Sequence, residues 1–280
     1  MLKMNTIEIQ RKEINLSEYK KRTAFDGDFS RLIIEPTIIT ENGVPIILYA
    51  KVGDGETKDV RAAVRSIRYQ KSTRTTGLSS TSAVFGYNPR NTIRRNYCGA
   101  TAMSRSFPAQ HATIAAFSES LTQIYQTNFP DVFSAHEKVS SERILPEWHM
   151  GATPFTSGIV NKNNPLKYHF DSGNIEGVFS NMVVFKSGVS GGHLSCPEFG
   201  LGFECADNTI ILFDGQKILH GVTPIKNQTK DAYRYSVVYY TLQQMWNCLP
   251  ISDEIIFARK QRVRRENKRV LGGGNLQRDK

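Results

Sequence analysis

The second half of the chain consists of short apolar runs cut apart by turn residues, and that rhythm constrains its fold more than any other feature. "GVFSNMVVFK", "NTIILFD" and "YRYSVVYYTL" are dense in β-branched and aromatic residues. Between them lie "SGVSGGH", "PEFGLGFECADN", "DGQK" and "KNQTKD", rich in Gly, Asn and Asp. Short strands at such close spacing predict an antiparallel sandwich or barrel. Upstream, "RLIIEPTIITENGVPIILYAKVG" predicts two or three further strands. "FPAQHATIAAFSESLTQIYQTNFPDVF" sets Ile114, Phe117, Leu121, Ile124 and Tyr125 at helical spacing between Pro108 and Pro130. That pattern predicts a helix packed on the sheet. His111, near its start, reads as structural.

Charge narrows the choice of partner. The chain has 280 residues and a net charge of +10, which favours a polyanion, most commonly nucleic acid. Arg61 to Arg105 contains no acidic residue and carries Tyr69, Phe85, Tyr87 and Tyr97 among its arginines. Arginines for phosphates interleaved with aromatics for bases would suit a nucleic-acid surface, and a solvated loop region would look the same. The tail brings Arg259, Lys260, Arg262, Arg264, Arg265, Lys268 and Arg269 into one stretch. It predicts a basic helix fraying into "GGG", suited to a DNA backbone or to solubility alone. No apolar run is long enough to predict a membrane span, and the first residues lack the apolar middle of a secretory signal. Cys98, Cys196, Cys205 and Cys248 form no CxxC pair, which argues against structural zinc. They do not make a disulfide framework, so a reducing cytoplasm is the simpler expectation. The chain thus divides into N-terminal strands and helix over 1–60, a core over 61–250 and a basic tail over 251–280.

The chemistry starts at "KYHFDSGN", residues 167–174. In extended backbone, residues two apart share a side, so His169 and Asp171 can converge on one point. A lone HxD is common, but here His220 follows in "ILHGVTPI" and Arg234 in "YRYSVVYYT". Two histidines and a carboxylate make the facial triad of non-haem Fe(II) oxygenases, which leaves metal positions open. A 2-oxo acid and dioxygen can take those positions. The distal carboxylate of the 2-oxo acid needs a fixed cation, and the planar fork of Arg234 meets it in two bonds. Ser236, two residues on, shares that face and can add a hydroxyl.

This order resembles Fe(II)/2-oxoglutarate dioxygenases, and within them the TET/JBP group of nucleic-acid base hydroxylases, especially its compact phage and bacterial forms. The resemblance is carried by "YHFDSGN", by "GGHLSCPEFGLGFECADNTIILFDGQKILHGVTPI", by "YRYSVVYY" and by "SAVFGYNPRNTIRR", over roughly 73–241. It implies an α+β, mainly β fold: a double-stranded β-helix (jelly-roll) core with supporting helices. By it, His169, Asp171 and His220 hold Fe(II), Arg234 and Ser236 hold 2-oxoglutarate, and His193 contacts this cosubstrate. Asn174 would face the target base. A base within a duplex is out of reach, so the nucleotide would be flipped out. The implied reaction uses dioxygen to hydroxylate the methyl of 5-methylcytosine in DNA, favoured over thymine and over a protein or small molecule. If phage-encoded, the protein would work in the bacterial host's cytoplasm. The cysteine-rich region of animal members is absent, so their pattern of DNA docking is not implied.

Overall fold

The computed structural model describes residues 4–20, 22–73, 79–91 and 97–271. Two facing sheets enclose the site. The larger has ten strands among the described residues. Its centre is β4 (Val44–Lys51), β13 (Thr209–Phe213), β9 (Ser180–Ser187), β16 (Tyr233–Tyr240) and β8 (Ser157–Lys162), in that spatial order. β1 (Asn5–Ile9) and β3 (Thr37–Glu41) extend it beyond β4, while β6 (Ser79–Asn88), β5 (Gln70–Thr73) and β7 (Gly99–Ala100) extend it beyond β8. The smaller sheet runs β14 (Gly221–Val222), β11 (Leu194–Cys196), β12 (Leu201–Phe203), β2 (Arg31–Ile33). A short pair, β10 (Val189–Gly191) with β15 (Ile225–Asn227), closes one side.

Strand alternation gives the large sheet two apolar faces. Ile39, Ile47, Met182, Val184, Ile211 and Phe213 pack inward with Leu194, Phe199, Leu201 and Phe203 of the smaller sheet's side. This is the interior of the double-stranded β-helix. Leu48, Val183, Phe185, Ile210, Leu212 and Val237 face the other way, into helices α2 (Asp54–Ser66) and α4 (Pro108–Asn128). The expected helix is therefore α4, but Pro130 opens a second one. It occupies the first turn of α5 (Pro130–Arg143), where its missing N–H costs nothing.

Three expectations are corrected. The Arg61–Arg105 stretch is not a free loop with stacking rings: β6 lies in the sheet beside β8, and Phe85 is wholly buried. Tyr69 packs on Tyr235 at 5.6 Å and Tyr87 edge-on to Trp148 at 5.3 Å. The serines and threonines at the start of β6 read as loop and hid the strand. Secondly, Cys98 and Cys248 form a disulfide, while Cys196 and Cys205 are free and buried. The bridged pair are 150 residues apart in sequence, so no spacing could announce them. Thirdly, the metal motif is extended loop rather than regular strand. The "TIRR" end of "SAVFGYNPRNTIRR", and the "GGG" of the tail, lie outside the described residues. No helix among those described is long and apolar enough to cross a membrane.

One buried group in the helical layer makes stability pH-dependent. His136 in α5 is wholly buried, with Nε2 2.8 Å from Thr241 Oγ1, whose own hydroxyl donates to Pro154 O. Burial pushes its pKa down to about 3. The unfolded chain binds a proton there below about 6.5, while the folded chain does not. Stability therefore falls as pH drops from about 6.5 towards 3, by up to about 1.4 kcal/mol per pH unit from this group. Melting curves of wild type and His136→Gln across this range should diverge, with the variant losing less. Parallel curves would assign the acid sensitivity elsewhere.

Candidate active site

His169 and Asp171 sit between β8 and β9, outside any ladder, with His169 held by a single bridge to His220. His169 N–H donates to His220 O at 3.0 Å, and His220 N–H donates back to His169 O at 3.1 Å. This exchange fixes the two imidazoles side by side, ring centroids 4.4 Å apart. Nδ1 of His169 lies 2.7 Å from Lys167 O, and Nδ1 of His220 lies 2.9 Å from Ile218 O. A carbonyl only accepts, so each Nδ1 carries a proton, which leaves Nε2 as the nitrogen turned towards Asp171. Asp171 Oδ1 stands 3.7 Å from Nε2 of His169 and 3.8 Å from Nε2 of His220. Together these residues form a group whose ligand atoms lie within 4.8 Å of one another.

The surrounding motif residues build this geometry. Asp171 N–H donates to Gly215 O at 2.8 Å, and a Cβ at Gly215 would overlap the Asp171 carboxylate. That is a physical reason for glycine in "LFDG". Glu198 of "PEFG" is buried and accepts from Leu219 N–H at 2.7 Å, one residue before His220. Its other oxygen meets Arg11 at 3.1 Å. Tyr168 OH bonds Asp28 at 2.9 Å and Ser195 at 2.7 Å, which fixes the extended segment that carries His169.

A second half-site holds cations. Arg234 is only 1% exposed, yet Nε, Nη1 and Nη2 have no partner among the described residues. A buried guanidinium left unpaired is costly, so it calls for an anion. Gly192, at φ +72, makes the room: a Cβ there would come 2.8 Å from Arg234 Cδ and Nε. Lys186 pairs directly opposite Arg234 across β9 and β16, so two like charges share one face. Its Nζ reaches Gly191 O at 2.9 Å; burial lowers its pKa and the Arg234 charge adds to that. His193 Nδ1 is buried and also without a partner among the described residues. Burial, then the Lys186 charge, hold its pKa below the usual imidazole range. Ser236 is buried on the same face as Arg234. The backbone from His220 joins the two half-sites, because Thr223 N–H and Oγ1 both bond the His193 backbone at 3.0 Å.

These donors fit Fe(II) and 2-oxoglutarate. Two imidazoles and one carboxylate are the donor set of non-haem iron, and Arg234, unpartnered among the described residues, fits a dicarboxylate. Residues 82–243, over half of the chain, match the family described as Tet_JBP, oxygenase domain of the 2OGFeDO superfamily. The chain belongs to the Tet_JBP family. Its cofactors are those of that superfamily, Fe(II) and 2-oxoglutarate, and it is a dioxygenase. The bifunctional helicase and thymine dioxygenase JBP2 of Trypanosoma brucei brucei is 29% identical over 120 residues, covering 43% of this chain and 11% of that protein. Thymine dioxygenase JBP1 of the same organism is 23% identical over 167 residues, covering 59% and 19%. This Tet_JBP chain thus spans less than a fifth of those relatives. In fold it is similar to the structure of NgTET1 in complex with 5mC DNA, with a TM-score of 0.61, 13% identity, and coverage of 88% of this chain and 85% of that one.

The candidate site residues all lie within the described structure, and His169, Asp171 and His220 come together. Arg234, Ser236 and His193 gather at the second half-site. Asn174 is buried, its Nδ2 donating to Ser180 Oγ at 3.2 Å. Sequence reasoning missed Lys186, Glu198 and Tyr168. The signal for Lys186 was a charged residue within an otherwise apolar strand, "NMVVFK".

Proposed function

We propose that this dioxygenase hydroxylates the methyl group of 5-methylcytosine in DNA, giving 5-hydroxymethylcytosine. The observations that carry the chemistry are the clustered His169, Asp171 and His220 and, in the second half-site, a buried Arg234 without a partner among the described residues. In this reading His169, Asp171 and His220 hold Fe(II), while Arg234, Ser236 and His193 hold 2-oxoglutarate. When bound, iron and 2-oxoglutarate let dioxygen put one oxygen atom into a C–H bond, with succinate and carbon dioxide as co-products. The chain's own residues do the rest. Paired backbone bonds hold the imidazoles at fixed separation, Lys167 O and Ile218 O hold their tautomers, and Arg234 with Lys186 neutralises the dicarboxylate.

DNA as substrate is supported by the net charge of +10, by the names of the thymine dioxygenase relatives and by the DNA-bound structure of similar fold. Thymine is the second reading, favoured by those relatives; it offers the same C5 methyl. Matched duplexes carrying either one 5-methylcytosine or only thymine as the methylated base separate the two. Succinate should rise with the methylcytosine duplex and stay at background with the other. The reverse result selects thymine, and no stimulation by either removes DNA.

Asn174 is assigned to the base. An amide both donates and accepts, as a pyrimidine edge requires. Asn174→Ala should cut hydroxylation about ten- to a hundredfold, in line with a lost base-reading pair of roughly 1–3 kcal/mol. Iron and 2-oxoglutarate binding should hold. If iron affinity and melting temperature fall together with yield, Asn174 serves only the turn that its Ser180 bond closes; normal yield removes it from the base site.

A further inference from the structure

We propose that the C-terminal helix α6 (Ile251–Leu271) is a phosphate-binding arm fixed to the base-reading side of the site. This rests on the reading of DNA as substrate. Its outer half carries seven basic residues and one acid between Arg259 and Arg269. Arg259, Lys260, Arg262, Arg264, Arg265 and Arg269 are all exposed. Among the described residues, the ion pair on this half is Arg262 with Glu266 at 3.5 Å, itself exposed. The ten-residue rise from Arg259 to Arg269 is about 15 Å, a length that faces roughly nine phosphates of a duplex.

The root of the helix is built unlike a solubilising tail. Glu254 is 2% exposed and accepts from Arg90 Nη2 at 2.7 Å, from Leu249 N–H at 2.9 Å and from Cys98 N–H at 3.0 Å. The Arg90 guanidinium also lies over the Phe257 ring at 5.0 Å. Just before the helix, the Cys98–Cys248 disulfide and a Trp148 Nε1–Leu249 O bond of 3.0 Å tie the chain down. That anchorage belongs to a small core that also holds Ile175 and Val178. Asn174 bridges Leu242, and Gln243 N–H donates to Gly173 O at 2.9 Å. The arm and the Asn174 loop therefore share one packed unit, so phosphates held by α6 stand at a fixed distance from the base position.

Charge decides between partners. The exposed apolar residues Ile251, Ile255 and Ile256 sit at the root of the helix, and on the basic half only Val263 and Val270 are exposed among the described residues, each among arginines and lysines. A helix lying in a membrane needs a broad apolar face, which this one lacks. A second copy would set two basic arms against each other. A duplex groove offers phosphates on two flanks of a helix, so basic side chains on more than one face can be met.

The test is Arg259→Gln, Lys260→Gln, Arg264→Gln and Arg265→Gln in one protein; glutamine keeps helix propensity, and these exposed sites should leave the melting temperature unchanged. Affinity for a methylated duplex is measured by anisotropy over a KCl series, and turnover is measured on that duplex and on a methylated dinucleotide too short to reach the arm. The variant should lose about three to four from the log–log salt slope and at least tenfold in duplex affinity, while dinucleotide turnover stays the same. A wild-type slope in the variant overturns the arm. So does tighter wild-type binding to phosphatidylserine vesicles than to DNA, or a dimer that the substitutions dissolve while the slope persists. If neither substrate is turned over by wild type but the slope still falls in the variant, the arm stands and the hydroxylase reading fails.

Discussion

Replacing Asp171 with alanine is expected to remove turnover, by about a thousandfold or more, which is roughly 4 kcal/mol of barrier. The melting temperature should stay near that of wild type. Asp171 is part-exposed, and its carboxylate neighbours are the two imidazole nitrogens at 3.7 and 3.8 Å. Its backbone bond to Gly215 does not need the side chain. Without the carboxylate the two imidazoles remain, held by the exchange between His169 and His220, but they lack the anionic donor. Succinate formation and iron binding are measured at rising Fe(II). A variant that recovers substantial turnover at saturating iron would move the metal away from this residue.

The second large effect concerns Arg234. Arg234→Lys should raise the 2-oxoglutarate requirement about ten- to a hundredfold, because a lysine cannot make the two-pronged bond, and a charged hydrogen bond is worth on the order of 1.5–3 kcal/mol. Arg234→Met should do more, and with an opposite sign for the empty protein. The native pair of Arg234 and Lys186 puts two cations on one buried face, with the guanidinium unpartnered among the described residues. Removing one charge while keeping the stem relieves that conflict. The ligand-free variant should melt higher than wild type, yet gain nothing when 2-oxoglutarate is added. Thermal shift with and without the cosubstrate reads both effects. A lower melting temperature without ligand, or an undiminished ligand shift, would mean that Arg234 already has its partner inside the fold.

The site was legible in sequence because its residues lie in short local patterns. HxD and the downstream histidine are each set by extended backbone and a turn, and Arg234 follows on the next long strand. What holds them was not legible. Glu198 acts on Leu219 and Arg11 across the smaller sheet, and Lys186 acquires meaning only by its register opposite Arg234. β6 was hidden because its serines and threonines read as loop, while its burial comes from β8 and the helices. The Cys98–Cys248 bridge was missed for the same reason, since its partners meet only after the chain has folded. Local chemistry is written in neighbouring residues, whereas pairing across sheets is written in register.

The central claim is that this chain puts oxygen onto a DNA base methyl. The most direct measurement is mass spectrometry of nucleosides and succinate after reaction of 5-methylcytosine duplex with enzyme, Fe(II), 2-oxoglutarate and ¹⁸O₂. The expected result is 5-hydroxymethylcytosine bearing a single ¹⁸O, with labelled succinate formed in equal amount. Labelled succinate with every nucleoside unchanged would contradict it.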